Sequence, residues 1–245
     1  QYHGAQKENI WEYFFEQPCG YTLTDIRRSR HIILSPEYRL FMPKKYAIAH
    51  NAVSLRHKKL FQKYIRFNKE TRAYLEFDYK KIVKQKNRKV LGVLCRGTDY
   101  IKRFNLPIQP DPQVVLQKAR RVMLAHKCTH LYLATEDEAI YKLFLAYFGK
   151  KLLTNRQRHF DWSKDYGKKK LLSQVSMSNA ERRQIALDYL SSLNILARCP
   201  CFIGGNTAGT SAVYLMSQGF EYDYLWDLGL YPLDILGRLS SVLRH

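Results

Sequence analysis

Three short polar segments of this chain carry residue types that can act on a charged ligand. They are Arg96-Gly97-Thr98-Asp99, Thr135-Glu136-Asp137, and the run from Gly204 through Ser211. The third places glycines, Asn206 and the hydroxyls of Thr207, Thr210 and Ser211 just before a helix-like segment. The first N–H groups of a helix lack intrahelical partners and bear partial positive charge. Such a turn can cradle phosphate oxygens. It matches neither G-x-G-x-x-G nor the Gly-Lys-Ser/Thr pattern, which disfavours a nicotinamide enzyme or an ATPase. Close helix–sheet packing is the other use of its small residues. Arg96 adds a full charge in a planar fork suited to two phosphate oxygens. Held by a turn at Gly97, it could neutralise a diphosphate as charge builds on a leaving group. Thr98 and Asp99 then lie beside the reacting carbon or hold the turn through side-chain-to-backbone bonds. A strand-end Arg can equally pair with a neighbour, and the acids at 136–138 suit the start of a helix.

The elements that must hold these segments follow from hydrophobic pattern. Val90–Cys95 is a short apolar run, and Pro112 opens a helix-like segment reaching about Lys127. His130–Ala134 reads as a second buried strand, followed by a helix to Phe148 closed by Gly149. Lys151–Leu153 reads as a third strand, and the basic stretch 155–170 as an exposed loop. Ser178, with Glu181 three residues on, makes a capping box for a helix to about Arg198. Cys201–Ile203 reads as a fourth strand, and the last helix ends near Gln218. Short buried strands alternating with helices predict an α/β fold, a Rossmann-like, doubly wound parallel sheet. In such sheets ligands sit beyond the carboxyl ends of the strands, where strand order reverses. Ahead of the sheet, residues 1–55 are irregular and aromatic. From Ser54 to Lys86 the spacing of Leu60, Tyr64, Phe67, Tyr74, Phe77 and Ile82 suits helices with a basic solvent face. The chain thus divides into a smaller N-terminal lobe, 1–87, and the sheet domain with its C-terminal tail, 88–245.

Composition sets the outer bounds. A chain of 245 residues that is 46% hydrophobic and 13% aromatic can bury a sizeable core and is not disordered. No stretch approaches the roughly 18–20 uninterrupted apolar residues that span a bilayer. The anomaly is charge: 41 Lys+Arg against 21 Asp+Glu give a net +20. An anionic partner follows, whether nucleic acid, an acidic membrane surface or a phosphorylated small molecule. The cysteines, at 19, 95, 128, 199 and 201, are odd in number and scattered, as in a reducing compartment. Cys199-Pro-Cys201 could be half of a metal site. No His/Cys pair at zinc spacing accompanies it, so buried thiols flanking a strand are expected and no metal. The chain starts at Gln1, as a processed protein or a fragment does.

Five segments in order, VLGVLCRGTDY, QPDP after Pro107, LYLATEDEAI, RRQIALDYLSSL and FIGGNTAGTSAVYLM, resemble a known family. They look like the nucleotide-sugar-binding half of the GT-B fucosyltransferase-like glycosyltransferases, over roughly residues 88–218. Within that group the likeness is to the α1,6-fucosyltransferase/NodZ-like enzymes and related bacterial polysaccharide glycosyltransferases. The resemblance implies a metal-independent, inverting transfer of a sugar, fucose first, from a GDP-sugar to an acceptor hydroxyl. It implies no cofactor, the GDP-sugar being the donor substrate. By resemblance Arg96 holds the β-phosphate, Asp188 reads the guanine edge, and Thr207 to Ser211 surround the phosphates. Thr98, Thr135, Asn206, Gly209 and Thr210 complete the donor-binding set. Arg96 and Asp99 are the catalytic candidates, with Glu136 and Asp137 behind Asp99 as base.

Two positions depart from the family. Leu94 stands where a histidine often contacts the base, and Arg103, Phe104 and Asn105 occupy the neighbourhood of a proposed glutamate base. A GT-B enzyme has two Rossmann-like halves, and roughly 87 residues are few for the first. An N-terminal piece is therefore expected to be absent or the front lobe reduced. The expected partners are the nucleotide-sugar donor and a glycan or lipid-linked acceptor, not nucleic acid. The charge surplus lies mostly in 56–90, 102–127 and 150–170, outside the pocket loops. That distribution suits peripheral contact with an anionic membrane from the cytoplasm. The alternatives are a basic nucleic-acid-binding protein without enzymatic activity, or a GT-B enzyme using GDP-mannose.

Overall fold

In a computed structural model, residues 9–31, 52–85, 87–97, 106–161 and 177–231 are described. Thr98 and Asp99 lie outside them, as do 162–170 of the basic stretch. The front of the chain forms a 3-10 turn at Ile10–Tyr13 and helices α1 (Leu23–Arg28), α2 (Ala52–Tyr64) and α3 (Lys69–Ile82). Asn68 caps α3 by accepting from the Thr71 amide, 2.9 Å, and its own amide group donates to the Glu12 carbonyl, 2.8 Å. Phe15 bridges to Phe67 and stacks on its ring, fastening the first turn to the junction of α2 and α3.

From Val90 the chain alternates strands β1 (Val90–Leu94), β2 (His130–Ala134), β3 (Leu152–Leu153), β4 (Cys201–Gly205) and β5 (Tyr222–Trp226) with helices α4 (Pro112–Ala125), α5 (Glu138–Phe148), α6 (Asn179–Ala197) and α7 (Ala208–Met216). All four strand pairings are parallel, in the order β3-β2-β1-β4-β5. The chain winds outward from β1 in one direction and returns to add β4 on β1's other side. Strand order therefore reverses between β1 and β4. The expected doubly wound sheet is present.

Its strands read as continuous apolar runs because both faces are covered. Leu91, Val93, Leu131, Leu133, Cys201 and Ile203 face a core closed by α4 and α5. Their neighbours Val90, Leu94, Tyr132 and Phe202 face a second core with Leu193, Ile195 and Leu196 of α6 and Val213 of α7. Gly92 is required at the centre of β1, where a Cβ would lie 2.9 Å from Leu196 Cδ2. The capping box expected at Ser178 and Glu181 is formed, and Gly149 ends α5 with φ 50°. Four cysteines are buried thiols, and burial pushes Cys128 up to about 12. No helix among the described residues is long and apolar enough to cross a membrane.

Two readings need correction. The strand β5 was not expected; it forms an edge, with only Trp226 of its five residues fully buried. The start of the basic stretch is a loop with Arg156 and Arg158 exposed, but it is anchored to the sheet at Phe160. Phe160 is 1% exposed, and its amide donates to the Glu136 carbonyl, 2.8 Å, extending the sheet beyond β2. Its neighbour His159 stacks on Tyr141 with centroids 4.2 Å apart, and burial lowers its pKa below the usual histidine value. A histidine kept neutral by folding binds fewer protons than in the unfolded chain. Its contribution is present above about pH 6.5, the unfolded value, and is lost as pH falls from there through the lowered folded value. Replacing His159 with Phe should therefore flatten the fall in urea midpoint between neutral and mildly acid pH; an unchanged slope would refute this.

Candidate functional site

Arg96 leaves the carboxyl end of β1, at the point where strand order reverses. Its Nε lies 3.2 Å from Glu136 Oε1 at the end of β2, with side-chain exposures of 17% and 7%. The guanidinium also lies over the ring of Tyr189 on α6, 5.9 Å from its centroid. The turn at Gly97 is set by close approach: a Cβ there would lie 2.3 Å from Asp137 Oδ2. Asp137 in turn caps α5, its Oδ1 accepting from Ala139 and Ile140. Thr135 accepts from the Asp137 amide, 3.2 Å. The first two segments are thus one assembly, in which Thr135 and Asp137 hold the turn and Glu136 orients the arginine.

The third segment meets that assembly through Tyr189. A Cβ on Gly209 would lie 2.3 Å from the Tyr189 hydroxyl, so a larger residue there would displace the ring from the first turn of α7. Thr207 caps α7 by accepting from the Thr210 amide, 3.1 Å. Thr210 donates to the Gly205 carbonyl, 2.6 Å, and Ser211 to the Thr207 carbonyl, 3.2 Å. Thr207 and Thr210 are buried and spend their hydroxyls on shaping the turn. Of the first-turn amides of α7, that of Thr210 is capped, while Ala208 is exposed and Gly209 is buried. Thr207→Ala should lower stability by about 1 kcal/mol, the worth of a lost cap, and Thr207→Ser should restore it. Equal denaturant midpoints for Thr207→Ala and the parent would show the cap to be idle.

Asn206 is buried at the end of β4. Its amide N–H approaches Asp227 at 3.4 Å, and its Oδ1 has no hydrogen-bond partner among the described residues. Gln109 donates to the Asn206 carbonyl, 3.1 Å, tying the chain before α4 to the same turn. Asp188 is one residue from Tyr189, yet it faces α3 and the segment after β3. Its Oδ1 accepts from Tyr74 and, at 2.9 Å, from Gln184, while its carbonyl accepts from Asn155 at 2.8 Å. Burial and the Asp188 carboxylate push the Tyr74 hydroxyl up. A solvated position on α6 is therefore not where Asp188 lies.

Sequence reasoning missed Tyr189 and a second buried carboxylate. Asp78 of α3 accepts from Arg156 at 2.9 Å and from Ser191 of α6 at 2.8 Å. The signals were present: Tyr189 follows Asp188 directly, and Asp78 stands where the apolar spacing of α3 places an inward residue.

No family model matches the chain, and no curated protein matches it. Solved structures do. A NodZ alpha-1,6-fucosyltransferase soaked with GDP-fucose shares 15% identity at a TM-score of 0.48, over 85% of this chain and 76% of that one. POFUT1 in complex with GDP-fucose shares 13% at 0.44, over 67% and 48%. The fucosyltransferase NodZ from Bradyrhizobium shares 14% at 0.41, over 65% and 46%. The chain spans about half the length of the first solved structures it matches.

Proposed function

We propose that this protein is a glycosyltransferase that moves a sugar from a GDP-sugar, fucose first, to an acceptor hydroxyl with inversion. The observation that carries the reading is the position of Arg96. It lies at the carboxyl end of β1, oriented by Glu136, with Tyr189 between it and the first turn of α7. A planar cation and the first turn of a helix, both touching the ring of Tyr189, supply the two kinds of group that bind a diphosphate. The five motifs of the sequence support a nucleoside diphosphate sugar rather than a simple phosphate. In this reading Arg96 and the α7 amides stabilise the leaving diphosphate as charge develops on it.

The acceptor proton goes to a carboxylate. Asp137 is committed to capping α5 and Glu136 to Arg96, which favours Asp99 as the base among the three carboxylates considered. Asp188 reads the guanine edge, with Tyr74 and Gln184 holding its carboxylate in place. Thr98, Thr135 and the turn Asn206–Ser211 complete the donor site. The acceptor is a glycan or a lipid-linked sugar, met in the cytoplasm, in polysaccharide synthesis. Isothermal titration with GDP tests the donor site, and a panel of nucleotide sugars scored by melting shift tests the sugar. Micromolar-to-millimolar GDP binding is expected, with larger shifts for GDP-fucose than for UDP-sugars. No GDP binding, or a preference for uridine donors, would overturn the reading.

A further inference from the structure

Part of the charge surplus lies on one helix face of the sheet domain. α4 has no Asp or Glu over its fourteen residues. Its outward face carries Val114, Gln117, Arg121 and Leu124 at helical spacing, and Leu124 is 84% exposed. Gln117, Arg120, Arg121 and Leu124 line a shallow depression of about 320 Å³. Arg120 lies 4.8 Å over the ring of Tyr147, joining this face to α5, where Leu145 and Tyr147 are also exposed. Lys127, Lys150 and Lys151 stand exposed at the same end of the two helices. The one carboxylate of α5, Glu138, is paired with Lys142 at 2.6 Å.

We propose that this α4–α5 face docks on anionic phospholipid membrane. Cations interleaved with exposed leucine, valine and tyrosine are the composition of a surface that enters the headgroup layer. The cations meet lipid phosphates and the apolar side chains reach the acyl boundary. A nucleic-acid surface uses the same cations but gives Leu124 and Val114 nothing apolar to enter. Both helices lie flat on one face of the sheet, so docking leaves the carboxyl ends of the strands open at the side. The inference is independent of the GDP-sugar reading, and GDP titration and lipid binding can fail separately.

Co-sedimentation with phosphatidylcholine vesicles, with and without phosphatidylserine, tests it. Binding should need phosphatidylserine and fall with added salt. Arg120→Glu with Arg121→Glu should weaken it about thirtyfold or more, at about fivefold for each cation removed. Leu124→Ser should weaken vesicle binding while leaving binding to a single-stranded oligonucleotide unchanged. Melting curves confirm that these surface variants fold. Lys59→Glu with Lys63→Glu, on α2, is the control for a second basic helix. The proposal fails if the α4 variants bind as the parent does or if the α2 variant alone loses binding. It also fails if Leu124→Ser has no effect and the oligonucleotide binds more tightly than vesicles.

Discussion

Arg96→Ala should weaken GDP binding about a hundredfold and remove detectable transfer. A bidentate, charge-assisted contact to a diphosphate contributes about 2–5 kcal/mol when its partner is desolvated, and each 1.4 kcal/mol is tenfold. The substitution has a second effect. Glu136 is 7% exposed at its side chain and would lose its cation, and breaking a buried pair costs about 3–5 kcal/mol. A protein that no longer folds would mimic the loss of binding. The pair Arg96→Ala with Glu136→Gln removes the stranded charge and keeps the hydrogen-bonding shape. It should recover most of the lost stability while GDP binding stays about a hundredfold weaker than in the parent. Arg96→Lys keeps a charge but loses the fork, and should bind GDP at an intermediate level. Titration calorimetry beside urea melts separates the outcomes. Full GDP affinity in the folded double variant would remove Arg96 from the donor site.

Phe202→Ala should cost about 3–5 kcal/mol, as for a fully buried aromatic whose site cannot collapse. Phe202 is 0% exposed, stacks on Phe220 at 5.4 Å and meets Tyr214 edge-on at 5.8 Å. Its ring also lies against the end of β4, where a Cβ on Gly204 would lie 3.0 Å from Phe202 Cζ. The prediction is a large fall in urea midpoint accompanied by weaker GDP binding, because α7 loses its seat. Phe202→Leu fills most of the volume and should cost less than half as much. A small stability loss for Phe202→Ala would mean that the α6–α7 core closes around the hole.

Much of the sheet could be read from the chain because its signals are local. A strand covered on both faces must be apolar throughout, so His130–Ala134 announces itself, and so does the box of Ser178 and Glu181. The edge strand β5 gives no such run, because one side meets solvent and Asp223 and Tyr224 are tolerated there. The alternation of Tyr222, Tyr224 and Trp226 was its period-two trace. The local turns at Arg96-Gly97 and Gly204–Ser211 could also be read, because each is made within a single loop. Contacts between distant segments were not. Tyr189 reads as one more core aromatic of α6 until Gly209 and Arg96 are seen against it. Asp78 and Ser191 are far apart in sequence and have no reason to be joined before α3 and α6 pack side by side. The hydroxyls of Thr207 and Thr210, expected around the phosphates, are seen to bond within the turn only once the backbone is placed, since sequence gives their type and not their direction.

The pairing of β1 with β4 bears on how the protein comes into being. Leu91 and Cys201 are partners in the sheet, roughly 110 residues apart, and closing such a span is slow. As the chain leaves the ribosome, β1, β2 and β3 can meet early, and Arg96 can find Glu136 among them. Tyr189 and the α7 turn emerge well after them. The contacts of Arg96 thus form in two stages, first with Glu136 and later with Tyr189.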